Sequence, residues 1–266
     1  MKQETLDRLH RTELEIMDEV KRICDKHGLT YYLIAGTLLG AVRHGGFIPW
    51  DDDMDIAMPR KDFERFGELA PKELGPRFYY QSAKTDPQWV RGYAKLRLND
   101  TIFLERKDQR TDRHQGIFID IFPFDTGRKL TGLRGKIRSK FNLMVIGHFY
   151  IMNGELPNNW VHHVMALLPM GFYRWVARRW TRNKGDHYLN YWGVHTLMRE
   201  IVPIDKCDPP GEIAFEDRVF SCPRDPDALL SSWYGPNYMQ LPPKDKQVTH
   251  NPVRLSFDTS GPDAPL

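Results

Sequence analysis

Cysteine is scarce: three thiols, Cys24, Cys207 and Cys222, serve 266 residues. Their odd number and wide spacing argue against a disulfide framework and fit a reducing compartment. No C-x2-C pair supports a zinc site built from Cys207, Cys222 and a histidine. The sequence also lacks a run of about 18 uncharged apolar residues that would span a bilayer. Its charged opening, Met1 to Arg11, has no apolar signal-peptide core. An excess of one charge is missing too: the net charge of +3 argues against a dedicated nucleic-acid binder. No repeat or low-complexity tract interrupts the chain. The expectation is a cytoplasmic globular protein.

What the sequence does have is a mixed pattern. Leu6, Leu9, Ile16, Val20, Ile23 and Cys24 recur at helical spacing, and Gly28 can end that helix. Tyr31 to Ile34 reads as a strand, Gly36-Thr37 as a turn into a short helix, and Gly45-Gly46 as its stop. Ile56 to Met58 reads as a strand ended by Pro59, and Lys61 to Leu69 as a second amphipathic helix. Phe78 to Gln81 is a further strand. Tyr93 to Leu98 and Thr101 to Glu105 suggest a hairpin turned by Asn99-Asp100. Ile117 to Phe122 is strongly β-prone.

The pattern predicts an α+β protein in three parts. Residues 1–127 form a mixed-sheet core flanked by helices. Residues 128–205 are basic and apolar and read as largely helical. Residues 206–266 pack back on the core and end in a disordered tail. The middle part starts with Arg128, Lys129, Arg134 and Lys136. Its apolar stretches, Phe141 to Met152 and Val161 to Tyr173, are read as core helices or as a membrane-surface element. Its histidines, His148, His162, His163 and His195, lack metal-like spacing.

The chemistry concentrates in Asp51-Asp52-Asp53-Met54-Asp55. Four carboxylates in five residues repel one another at the head of an apolar strand, and a divalent cation relieves that. A solvated acidic loop is the plainer alternative, but the strand after the run and the Gly-Thr turn before it speak against that. Side chains at i and i+2 share a face, so Asp53 and Asp55 can ligate one ion with Asp51 at its edge, while Asp52 points elsewhere. Asp120, alone among Ile117 to Phe122, is the best third ligand. Asp125 is the alternative, in a loop after Pro123. Oxygen-only ligands favour Mg²⁺ or Mn²⁺. Gly36 and Thr37, where strand gives way to helix, offer a phosphate cradle. Lys95 and Arg97 share a face and can hold phosphates. Arg43, with His44, is a weaker candidate.

Around these residues the sequence resembles the LicD family of phosphotransferases. The resemblance rests on Tyr31 to Met58, Lys95-Leu96-Arg97, His114 to Pro123, Trp233 to Pro243 and Thr249-His250. It implies a nucleotidyltransferase-like mixed sheet and kinship with the fukutin-related enzymes, which use CDP-ribitol. It also implies a CDP-linked donor such as CDP-choline, and it adds His250 to the site. The expected reaction is metal-dependent transfer of phosphocholine, or a similar phospho-alcohol, to a hydroxyl of a cell-surface or lipid-linked glycan. CMP leaves, at the inner face of the membrane. A nucleotidyltransferase moving an NMP from an NTP is the alternative. A choline head would call for an aromatic site, with Trp50, Tyr80, Trp89 and Tyr93 as candidates.

Overall fold

The computed structural model describes residues 1–89, 91–109, 111–152, 164, 167, 169, 171–173, 175, 185–193, 195–247 and 249–266. The first helix, α1 (Gln3–His27), buries the expected apolar stripe and ends at Gly28, whose φ of 61° is left-handed. A short strand, β1 (Tyr32–Leu33), leads into α2 (Ala35–His44), which stops at Gly45, φ 74°. Next come β2 (Asp55–Pro59), α3 (Arg60–Glu73), β3 (Phe78–Gln81), β4 (Ala94–Leu98), β5 (Ile102–Leu104), β6 (Phe118–Gly127) and α4 (Gly132–Met152). The rest supplies β7 (His187–Asn190), β8 (Ile201–Pro203), β9 (Gly211–Phe215), β10 (Arg218–Cys222), α5 (Pro226–Tyr234) and β11 (Arg254–Ser256). The α+β expectation holds.

Among the described residues the main sheet has seven strands. Five run in the order β1-β2-β6-β4-β3, and β7 and β8 extend it beyond the second half of β6. The pair β2–β6 is parallel and the others are antiparallel. α1 and α3 pack on this sheet. The core joins Leu9, Ile16 and Val20 to Ile56, Ile119 and Ile121, and takes Leu229, Leu230 and Trp233 from α5. Through these three residues α5 shares one core with the sheet and α1. None of the described helices is long and apolar enough to cross a membrane.

Four expectations need correction. The hairpin does not form: β3 and β6 occupy both edges of β4, so β5 pairs with β11 instead. Asp125 lies not in a loop but in β6, which runs through Pro123. Pairing to β4 ends at Ile121 and pairing to β7 starts at Phe124, so the proline falls in the gap between them. The middle part is not helical throughout, since β7 and β8 add to the main sheet. Most of Val161 to Tyr173, with His162, His163, Arg174, Arg178, Arg179 and Arg182, lies outside the described residues. Finally, the tail is docked. Ala264 N–H donates to Leu255 O at 2.7 Å, Thr5 Oγ1 donates to Pro265 O at 2.9 Å, and Arg254 pairs with Asp263.

Candidate active site

Register builds the site. Asp55 on β2 stands beside Asp120 on β6, Asp120 beside Lys95 on β4, and Lys95 beside Gln81 on β3. One row across four strands thus carries two acids and a buried lysine. Asp55 is fixed through its backbone: its N–H donates to Thr37 Oγ1 at 2.7 Å and its carbonyl accepts from Ile34 N–H at 3.1 Å. Thr37 is buried, so its role here is to aim Asp55. Asp120 N–H donates to Met54 O at 2.9 Å, which ties the acidic loop to β6.

Asp53 precedes β2 rather than lying in it, yet the loop brings it in. Ligand oxygens of Asp53, Asp55 and Asp120 lie within 4.8 Å of one another. Burial, then neighbouring charge, pushes the Asp55 carboxyl well above its usual range; Asp53 is also raised by burial, against the pull of His250. Lys95 Nζ is 2.8 Å from Asp120 Oδ1. Apart from this ion pair, the buried Oδ1 has no hydrogen-bond partner among the described residues. Clustered hard oxygens with no hydrogen bond on the buried Asp120 Oδ1, and two raised acids, fit a divalent cation.

Asp51 sits at the rim. Its carboxylate packs against the start of α2, where a Cβ on Gly36 would come within 2.5 Å of Asp51 Oδ2. A side chain at Gly36 would have to displace that carboxylate, which occupies the place expected for phosphate. Asp52 meets His250, and ligand atoms of Asp52, Asp53 and His250 form a second group within 4.8 Å of one another. Asp52 is fully buried and receives His250 N–H at 2.9 and 3.1 Å, with the His250 ring nitrogen Nδ1 at 3.0 Å. This clamp sets His250 Nε2 3.6 Å from Asp53. Burial opposes the imidazolium charge, but Asp53 and Asp52 outweigh it and push the pKa up to about 10.

Other candidates are diverted. Arg97 is buried, donates to Gln81 Oε1 and Gly116 O at 2.6 Å each, and lies 4.9 Å over Phe118; it supports the sheet. Arg43 donates to the carbonyls of Tyr238 and Gln240. Asp125 forms a two-point pair with Arg60 at 2.7 and 2.8 Å, away from the acids. Trp89 and Tyr93 do meet, with Tyr150, but around Arg91, whose guanidinium is 4.6, 5.7 and 5.4 Å from the three rings. The protein's own cation fills that box. Tyr80 packs on Phe66, while Trp50 is half-buried, edge-on to His44 at 6.5 Å.

Sequence reasoning overlooked two neighbours. Glu13 interrupts the apolar stripe of α1, between Leu9 and Ile16. It is buried, its Oε2 has no hydrogen-bond partner among the described residues, and after burial itself Asp53, Asp52, Asp51 and Asp55 do most to raise it. A carboxylate at a core position of an otherwise apolar stripe was the available signal. Tyr234, on α5, is raised by burial and then by Asp55 and Asp51.

An α+β molecule with a mixed sheet and a three-carboxylate centre beside a buried lysine is a class suited to handling phosphate esters. The family model described as LicD/FKTN/FKRP, nucleotidyltransferase domain, matches residues 28–163, and the chain belongs to that family. It is 34% identical over 94% of its length to the lipopolysaccharide cholinephosphotransferase LicD of Haemophilus influenzae, 97% of which is covered. Human ribitol 5-phosphate transferase FKRP is 40% identical over 53 residues, 20% of this chain and 11% of that protein. An uncharacterized Rickettsia typhi protein is 42% identical over 65 residues, 24% of this chain and 21% of that protein.

Proposed function

We propose that this chain transfers phosphocholine, or a similar phospho-alcohol, from a CDP-linked donor to a hydroxyl of a cell-surface or lipid-linked glycan, releasing CMP. Its family makes it a transferase of phosphate-linked groups. The observation that carries the finer reading is the meeting of Asp53, Asp55 and Asp120 beside Lys95.

Asp53, Asp55 and Asp120 would hold Mg²⁺ or Mn²⁺, which supplies positive charge against the donor pyrophosphate. Lys95 fixes the Asp120 carboxylate and adds a cation where anionic oxygens gather. Thr37 holds Asp55 in place, so little reorganisation is required when the donor arrives. The Asp120 carboxylate would orient, and accept the proton of, the incoming hydroxyl. His250, held by Asp52, offers Nε2 as a donor to a phosphate oxygen near Asp53.

Calorimetry with CDP-choline, CDP-ribitol and CDP-glycerol, with and without Mg²⁺, tests the donor, with Asp53→Ala as control. Mg²⁺-dependent binding of one donor, lost in the variant, supports the reading. A folded protein that binds none of them refutes it. Release of pyrophosphate from an NTP, in place of CMP, would assign nucleotidyl transfer instead.

A further inference from the structure

Charge is segregated along this chain. Residues 126–185 hold eleven lysines and arginines against a single acid, Glu155, in a molecule whose net charge is only +3. The remainder, which carries the carboxylate centre, is therefore net acidic.

The described part of this basic segment also holds most of the exposed apolar surface. Of twelve large exposed apolar residues among those described, seven lie between Leu133 and Trp175. Helix α4 shows how the two properties combine. Its inner face is anchored: Ser139 Oγ accepts Met198 N–H at 3.0 Å and Asn142 donates to Tyr191 O at 3.0 Å. Val145 and Phe149 pack with Tyr173. Its outer face carries Leu133, 73% exposed, and Ile137, 59% exposed, one helical turn apart. Arg134, Lys136 and Lys140 are interleaved with them and exposed. Among the described residues no carboxylate pairs with these three cations.

An α-helix of a lone globular protein turns polar side chains outward. Here aliphatic side chains stand among unpaired cations, with Leu167, 81% exposed, and Trp175, 58% exposed, in the same segment. Duplex nucleic acid would use the cations but has no place for the leucines. A bilayer with anionic headgroups takes both, the cations at the phosphates and the aliphatic tips at the acyl boundary. We propose that the outer face of α4 docks on an anionic lipid bilayer. This surface reading is independent of the donor chemistry.

The test is co-sedimentation of the full chain, without donor or metal, with phosphatidylglycerol–phosphatidylcholine vesicles and with phosphatidylcholine vesicles alone. Binding to the anionic vesicles that weakens with salt is expected. The partition coefficient should fall at least tenfold in L133E/I137E and roughly a hundredfold in R134E/K136E/K140E. Both sets of side chains are exposed, so circular dichroism and Tm should not move. In the unaltered protein, acyl-chain bromine should quench part of the tryptophan fluorescence, a readout that needs no variant. Equal binding to neutral vesicles, no quenching, unchanged binding of L133E/I137E, or tighter binding of duplex DNA at the same ionic strength would each overturn the proposal. Vesicle binding without CDP-donor binding would leave it standing while refuting the transferase reading.

Discussion

Replacing Lys95 by methionine keeps most of the side-chain volume and removes the cation. In the folded protein Lys95 Nζ is 2.8 Å from Asp120 Oδ1, with side-chain exposures of 2% and 11%. Leaving one member of such a buried pair uncompensated costs about 3–5 kcal/mol. Asp53 and Asp55 nearby push the cost toward the upper end. In chelator, Lys95→Met should therefore lose about 5 kcal/mol of unfolding free energy in urea. A divalent ion held by the three acids replaces the missing charge, so Mg²⁺ should restore much of the loss. Lys95 also repels that ion. At an effective dielectric of about 20 and a separation of about 5 Å, the repulsion is about 3 kcal/mol per unit charge. Removing it should tighten Mg²⁺ binding at least tenfold by calorimetry, even as transfer activity falls. Equal destabilisation with and without Mg²⁺, and unchanged Mg²⁺ affinity, would make Lys95 a packing residue and refute the reasoning.

Three further outcomes follow from individual contacts. Thr37→Val removes the acceptor of the Asp55 N–H; it should cost about 1–3 kcal/mol in urea unfolding and lower kcat more than it raises KM for the donor. Glu13→Gln replaces a buried carboxyl, held above its usual range by burial and by the neighbouring acids, with a neutral amide, so it should stabilise the chelated protein by about 1 kcal/mol or more at pH 7 in urea unfolding; a destabilised variant would refute this. Glu200 is buried, and its carboxyl is pushed up to about 8 by burial from the ordinary 4.5. Between those values the folded protein keeps a proton that the unfolded chain has released. Its stabilising contribution is present in full below pH 4.5, falls by about 1.4 kcal/mol per pH unit through that window, and levels off above about 8. Urea unfolding from pH 5 to 8 should show a shallower decline in Glu200→Gln than in the parent protein.

The chain itself determined the local elements and the acids. Apolar spacing and a glycine past the end define α1 and α2, because both signals act within a few residues. The crowding of Asp51 to Asp55 at the head of a strand singled out that strand before any partner was known. The solitary Asp120 in an apolar run did the same for β6. Tertiary structure decided what those residues meet. Asp55 stands beside Asp120, and Asp120 beside Lys95, only because β2, β6 and β4 are neighbours in one register. A parity rule places Lys95 and Arg97 on one face but cannot say that Gln81 and Gly116 take up Arg97. The hairpin failed for the same reason, since β6 and β3 competed for β4 from a distance. Most telling is His250, set against Asp52 across 198 residues. Such pairings depend on long-range loop closure and burial, which are properties of the whole folded chain and leave no mark on the spacing of nearby residues.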